Sequence, residues 1–522
     1  MRFGGAALAT TATSIGLTIL IALLGPSAMA PALAGRPGQP PYSLVAHPSA
    51  NLVVALAAAA LAAGTLGLAL SMHAARRGWA PSPGALLLAG IAAAAVLAFL
   101  PPFGSADHLS YAGYGRMLVS GHDPYATGPD VLGHDPVARA VEDWRTTPSV
   151  YGPLATAGQA LAAVIGGTSV RLTVFVLSLL NLAAFAGAGL LLHWLARGDR
   201  RCQLRAALLW TVNPLLLYEL MAGAHVDTQA AVFALAAVAS FPALIPNGAA
   251  RWRAALRCVA VGALSGLGAA VKLTAALAGG GLAIAARRSW RLLTGLAVGF
   301  AVVAGVALAA GGPHVLGQTM RGGRFVSIGS PWRPARAVLT AAFGAGAAHW
   351  LVTAGSVILA VILAVLLLRH LPDRLSRPVR GSALPAGPTP ASGLDQSSAR
   401  VAVAAGPALA LTLAWLFAWP YVLPWYDALA WVLLPLIAWS WLDWLVLART
   451  AALGFGYLPA RGAAAHLPAD LGWLQSVVRT GVTPAILTML TIVIVVRCAS
   501  GGPRTAAHDR SQLSAHVAGN RP

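Results

Sequence analysis

The chain has 522 residues, 58% of them hydrophobic and only 10% charged, with a mean hydropathy of +0.73 and a net charge of +20. Apolar content on this scale, in repeated runs of about 18 residues or more, excludes an ordinary soluble domain and specifies a multi-span helical membrane protein. The basic residues sit in short clusters between the apolar runs, the pattern of cytoplasmic loops, which argues against a nucleic-acid partner and for a lipid bilayer.

The first apolar run, 7–24, reads as a retained membrane span, although Arg2 and the small-residue stretch ending at Ala30 also fit a signal peptide. A second span, 52–72, ends at Arg76 and Arg77, which places that end in the cytoplasm. The third, 84–100, then emerges on the external face and delivers a polar loop, about 102–153, to that side. The apolar stretch 152–166 is short for a span, about 15 residues, and reads as a re-entrant or juxtamembrane helix under the loop.

Further spans are expected over 170–196, which meets Arg197, Arg200, Arg201 and Arg205 inside, and over 206–220 with a return to about Ile245. Basic flanks on both sides of 258–286 make that stretch a hairpin of two short helices with Lys272 at its external tip. A span over 292–310 leads to an external loop, and the helical segment ending at Leu368 returns to a Pro- and Ser-rich cytoplasmic loop, 369–400, expected to be mobile. The last spans are expected to end near Phe417, over 428–447 and over 482–496. The sum is about 13 spans in one domain, 1–498, followed by a disordered tail, 499–522. The plasma membrane is the expected location.

The loop 102–153 concentrates what the spans lack. Of 15 acidic residues in the chain, it holds Asp107, Asp123, Asp130, Asp135, Glu142 and Asp143, together with Tyr111, Tyr114, Tyr125, Trp144 and Tyr151. Asp107 follows a span exit and opens a helical pattern in which Tyr111 and Tyr114 share a face. It fits a general base for an acceptor hydroxyl, or a helix N-cap. His122-Asp123-Pro124-Tyr125 reads as a turn, because Asp before Pro disfavours helix. His225 and Asp227, at the turn between two spans, are either functional or a structural pair.

Lys272 is the only lysine in the chain. A compact ammonium inside an apolar hairpin suits a lipid-linked phosphate, or snorkels to the interface. Arg321, Arg324 and Arg333 in the later external loop suit an anionic headgroup. Cys202, Cys258 and Cys498 lie far apart and show no metal-ligand spacing; no cofactor is expected, and the sequence leaves a divalent-ion requirement open.

The stretches DHLSYAGYGRMLVSGHDPYATGP, SVYGPL, NPLLLYELMAGAHVDT, AAVKLTA and YVLPWYDAL, in this order from Asp107 to Leu429, resemble the actinobacterial polyprenol-phosphomannose-dependent α-1,6-mannosyltransferases. That resemblance implies an all-α integral membrane GT-C-type helical bundle with a large external first catalytic loop and a juxtamembrane helix. It implies transfer of mannose from a polyprenyl-phosphate donor to an α-1,6-mannan or lipoglycan acceptor on the external face, with inversion. It places Asp107 as the base, and Lys272, Arg324 and Arg116 at the donor phosphate. It assigns Tyr111, Tyr114, Asp123, Tyr125, Tyr151, His225, Asp227, Trp425 and Tyr426 to the substrates. Where the family usually has Asn before the Asp of the GAH motif, this chain has Val226. The alternative reading is a transporter or flippase of polyprenyl-linked glycans, which also needs cations for phosphate but should carry polar groups at the bilayer midplane.

Overall fold

In a computed structural model of the protein, the described residues are 2–244, 251–317, 325–371, 393–460 and 467–500. Among them the fold is helical throughout, and eight helices are long and apolar enough to cross a membrane. Four shorter apolar helices accompany these, at Pro83–Ala98, Pro153–Gly166, Asp227–Ser240 and Leu273–Ala286. The chain is an all-α integral membrane bundle, and among the described residues several of the apolar runs expected as uniform spans are short or broken.

Helices α1 (Arg2–Leu24) and α2 (Ala50–Arg76) pack antiparallel through small residues, with Ser14 donating to the Ala60 carbonyl at 2.7 Å. Inside a bilayer, close packing of small side chains replaces the hydrophobic drive that operates in water. Helix α3 (Pro83–Ala98) leads to the loop, which contains α4 (Asp107–Val119) and the short α5 (Pro136–Ala140). Helix α6 (Pro153–Gly166) lies against α4, as the juxtamembrane reading anticipated, and α7 (Val170–Leu195) follows it.

The segment expected as a continuous span over 206–220 is instead broken. After α8 (Arg200–Ala206) come a wide π turn at Ala207–Thr211, a break at Asn213-Pro214, the single turn α9 (Pro214–Leu216) and a second π segment, Leu217–Ala222. Pro214 cannot donate to the helix ladder, and Asn213 caps the new turn by accepting from the Leu215 and Leu216 amides. Every residue from Leu204 to Thr228 is buried. Irregular backbone at this depth is tolerated because protein surrounds it; the Asn181 side-chain amide, for example, donates to the Leu220 carbonyl at 2.7 Å.

Helix α10 (Asp227–Ser240) returns across the bundle. Helices α11 (Arg251–Val271) and α12 (Ala276–Ala286) form the expected hairpin: Ser265 and Gly279, equidistant from Lys272, lie side by side. Helix α13 (Trp290–Gly311) and α14 (Trp332–His370, interrupted at Gly344) present exposed apolar side chains such as Val306, Val338, Trp350 and Ile358, a lipid-facing belt. The expected loop 369–400 lies mostly outside the described residues, but its end is helical, since α15 spans Gly393–Ala418. The tail 501–522 also lies outside them.

The span expected over 428–447 is likewise broken. Helix α16 (Ala428–Leu433) stops near Pro435, and α17 (Trp441–Tyr457) begins at a capping box made by Ser440 and Asp443. Beyond it, a π segment at Leu474–Val482 runs into α18 (Thr483–Ala499). Two buried ion pairs tie these pieces to the bundle. Arg205 meets Asp443 at 2.6 Å and the Leu434 carbonyl at 2.9 Å, and Arg449 pairs with Asp427, which also accepts from Thr450 at 2.6 Å.

Candidate functional site

Two hydrogen bonds fasten the start of the polar loop to the bundle. The Phe103 amide donates to the Ala222 carbonyl at 2.8 Å, and the Gly104 amide to the Met29 carbonyl at 2.9 Å. Asp107 then opens α4 without capping it; its amide donates to Ser105 Oγ at 3.0 Å, and the carboxylate is left to face the interior. Two glycines bring the rest of the loop close. A side chain at Gly115 would strike the Gln159 carbonyl of α6, and one at Gly152 would strike the Ala270 carbonyl beside the hairpin tip. The Gly152 amide donates to the Val271 carbonyl at 2.9 Å, which seats the loop next to Lys272.

Asp107 Oδ2 stands 3.6 Å from Nδ1 of His225, whose ring stacks on Trp425 with centroids 3.6 Å apart. Burial, then the nearby Asp227 and Asp143 charges, push the Asp107 carboxyl up to about 7 against the opposing pull of Lys272. Burial likewise pushes His225 well below the usual imidazole range, aided by Lys272 and His108. His225 is therefore neutral and offers Asp107 a dipole, not a charge. Lys272 Nζ contacts Asp227 Oδ1 at 2.7 Å and sits 3.8 Å from the centre of the Tyr426 ring.

Two cavities meet at Asp107. One, of about 520 Å³, is bounded by Asp107, Ser110, Tyr114, Tyr151, Lys272 and Tyr426, and continues along Leu273, Leu277, Gly280, Leu411 and Trp415. The other, of about 440 Å³, is bounded by Asp107, Asp143, Tyr457, Arg479 and Thr483. Trp144, Phe325, Tyr421 and Trp425 border both. Left-handed backbone at Ala224 (φ 53°) and Trp144 (φ 63°), rare for residues with a side chain, sets the GAH turn and the loop rim.

The structure thus brings together Asp107, Lys272, Tyr114, Tyr151, Trp425 and Tyr426 at the cavity walls, with Tyr111, His225 and Asp227 directly behind them. Tyr111 packs edge-on against Tyr151 at 4.9 Å, and the Tyr114 hydroxyl donates to the Thr147 carbonyl at 2.9 Å. Three other expected site residues line neither cavity. Arg116 is spent on Asp135 at 2.8 Å, because the helical register turns it away from the Asp107 face. Asp123 accepts from the Tyr125 amide at 2.8 Å and meets His314, as a turn residue before proline does. Tyr125 bonds Thr156 at 2.7 Å, pinning the loop to α6. Arg321 and Arg324 lie outside the described residues.

Sequence reasoning missed Arg479, Tyr457 and Phe325. Arg479 lies between the spans expected over 428–447 and 482–496; its signal was a lone charge just ahead of an apolar run. No group of His, Cys, Asp and Glu among the described residues is arranged to hold a metal ion.

Residues 11–288, more than half of the chain, match the profile of a family described as alpha-(1→6)-mannopyranosyltransferase, N-terminal domain. Alpha-(1→6)-mannopyranosyltransferase B of Corynebacterium glutamicum is 35% identical over 127 residues, which is 24% of this chain and 21% of that protein. Alpha-(1→6)-mannopyranosyltransferase A of the same organism is 29% identical over 129 residues, 25% of this chain and 26% of that protein. The aligned part therefore spans about a quarter or less of these relatives. No solved structure matches the chain.

Proposed function

The chain belongs to the alpha-(1→6)-mannopyranosyltransferase family, and on that premise we propose that it transfers mannose from a polyprenyl-phosphate donor to an α-1,6-mannan or lipoglycan acceptor on the external face of the plasma membrane. The observation that carries this reading is the meeting of two cavities at one desolvated carboxylate, with a lysine in one of them.

The larger cavity suits the donor. Lys272 keeps N–H donors beyond its bond to Asp227, and the apolar lining from Leu273 to Trp415 suits a prenyl chain. The smaller, aromatic-walled cavity suits the acceptor. In the reaction the acceptor hydroxyl oxygen bonds to the anomeric carbon as the bond from that carbon to the phosphate oxygen breaks. The electron pair leaves with the polyprenyl phosphate, whose charge Lys272 stabilises, and Asp107 takes the hydroxyl proton. A single in-line displacement of this kind inverts the anomeric carbon. An Asp107 carboxyl titrating near 7 is a stronger base than an ordinary carboxylate, and about half of it is ionised at neutrality.

The test is transfer in membranes that contain the protein, using radiolabelled polyprenyl-phosphate mannose and a short α-1,6-mannoside. Wild type is expected to extend the mannoside, and Asp107→Asn to lose about 10²- to 10⁴-fold of that rate. Full activity in Asp107→Asn would remove Asp107 as the base. Transfer only from another polyprenyl-phosphate sugar would correct the donor, and no transfer from any such donor would favour the transporter reading.

A further inference from the structure

The smaller cavity holds a cation that the proposed reaction does not use. Arg479 is the only basic residue among its described lining residues, and it comes from the π segment that leads into α18. Its Nε donates to the Gly456 carbonyl at 2.9 Å and its Nη2 to the Tyr457 carbonyl at 3.0 Å, with the guanidinium 4.6 Å from the Tyr457 ring centre. These contacts fix the plane of the group while consuming only part of its five N–H donors. Among the described residues no carboxylate forms a salt bridge with it, whereas Lys272 in the other cavity is matched by Asp227.

A fixed, half-buried guanidinium at a cavity wall, without a counter-ion among the described residues, has a ready complement. A phosphate or carboxylate brought by a ligand recovers the lost solvation and accepts two parallel hydrogen bonds. If the donor's phosphate lies at Lys272, an anion at Arg479 occupies the cavity that Lys272 does not line and so belongs to the other substrate. We propose that the smaller cavity binds an acceptor that carries an anionic group, and that Arg479 holds that group while the hydroxyl to be glycosylated reaches Asp107. This inference rests on the glycosyltransferase reading above and adds a charge requirement to its acceptor.

The experiment compares two acceptors with the same donor: octyl α-1,6-mannobioside, which is neutral, and the same disaccharide on an alkyl glycerol phosphate. Wild type is expected to favour the phosphate-bearing acceptor by about tenfold or more in kcat/KM, through KM, the size of a charge-assisted hydrogen bond. The ratio between the two acceptors should fall close to one in Arg479→Gln and keep an intermediate value in Arg479→Lys. Because the readout is a ratio within one protein, a variant that merely folds less well changes both rates and leaves it intact. A wild type that treats the acceptors alike overturns the inference, as does a ratio that survives in Arg479→Gln. A change in the donor's KM with the ratio unaltered would assign Arg479 to the donor instead. No transfer to either acceptor would overturn the glycosyltransferase reading itself, a different result from transfer without preference.

Discussion

Two acid–base pairs in this molecule share their chemistry and differ in what surrounds them. Arg205 and Asp443 meet at 2.6 Å with side chains 3% and 0% exposed, beneath Trp439, and the Leu434 carbonyl takes a further guanidinium bond. Lys272 and Asp227 meet at 2.7 Å, but Lys272 also borders a cavity of about 520 Å³ and faces an aromatic ring. The first pair is sealed and serves assembly of the broken helices. The second is open on one side, so its lysine can respond to a ligand. Pairing alone does not tell structural from functional charge in a membrane bundle; access to a cavity does.

Substitutions can break that contrast. The largest expected effect is the loss of about 10²- to 10⁴-fold in transfer by Asp107→Asn, in a protein whose thermal midpoint in detergent stays near that of wild type. Next, Asp443→Asn leaves Arg205 buried without its counter-charge and should lower stability by about 3–5 kcal/mol. Thermal or denaturant unfolding in detergent would read this, and the KM of whatever protein remains folded should not move. Lys272→Met should lower transfer about 10- to 100-fold and raise the donor KM, with a smaller loss of stability than Asp443→Asn, because the Asp227 left behind can take up a proton whereas Arg205 cannot give one up. If Lys272→Met instead unfolds the protein while Asp443→Asn spares it, the two pairs have been assigned the wrong way round. The smallest effect belongs to Arg116→Gln. Its pair with Asp135 has side chains 21% and 13% exposed, so stability should change by no more than about 1 kcal/mol and transfer by less than about threefold.

The same contrast explains how much the sequence could reveal. The hydropathy of α1, α2, α7, α13 and α14 is continuous and uniform, and these helices sit where the apolar runs place them. The hairpin tip at Lys272 was legible from the basic residues flanking both of its arms. The breaks at Asn213-Pro214 and Pro435 were not, because hydropathy averages over a proline and registers neither a cap nor a π turn. At the site, scarcity was the useful signal: carboxylates and a lone lysine stand out in a chain this apolar, and Asp107 and Lys272 do border one cavity. In a loop rich in polar residues, Arg116, Asp123 and Tyr125 looked equivalent to their neighbours, yet helical register and turn geometry keep them off both cavity walls. A lone charge ahead of an apolar run does not by itself place Arg479 at the site, which it reaches from a segment more than 350 residues beyond Asp107.

The most direct test of Asp107 as the base is the pH dependence of kcat/KM for the acceptor, which reports the carboxyl before the acceptor binds, measured from about pH 5 to about pH 8. Only the ionised carboxyl can accept the hydroxyl proton, and the Asp107 carboxyl is raised to about 7. The rate should therefore fall about tenfold for each pH unit below that value and level off above it. A rate that stays flat through this range, or one that falls as pH rises through 7, would contradict the assignment.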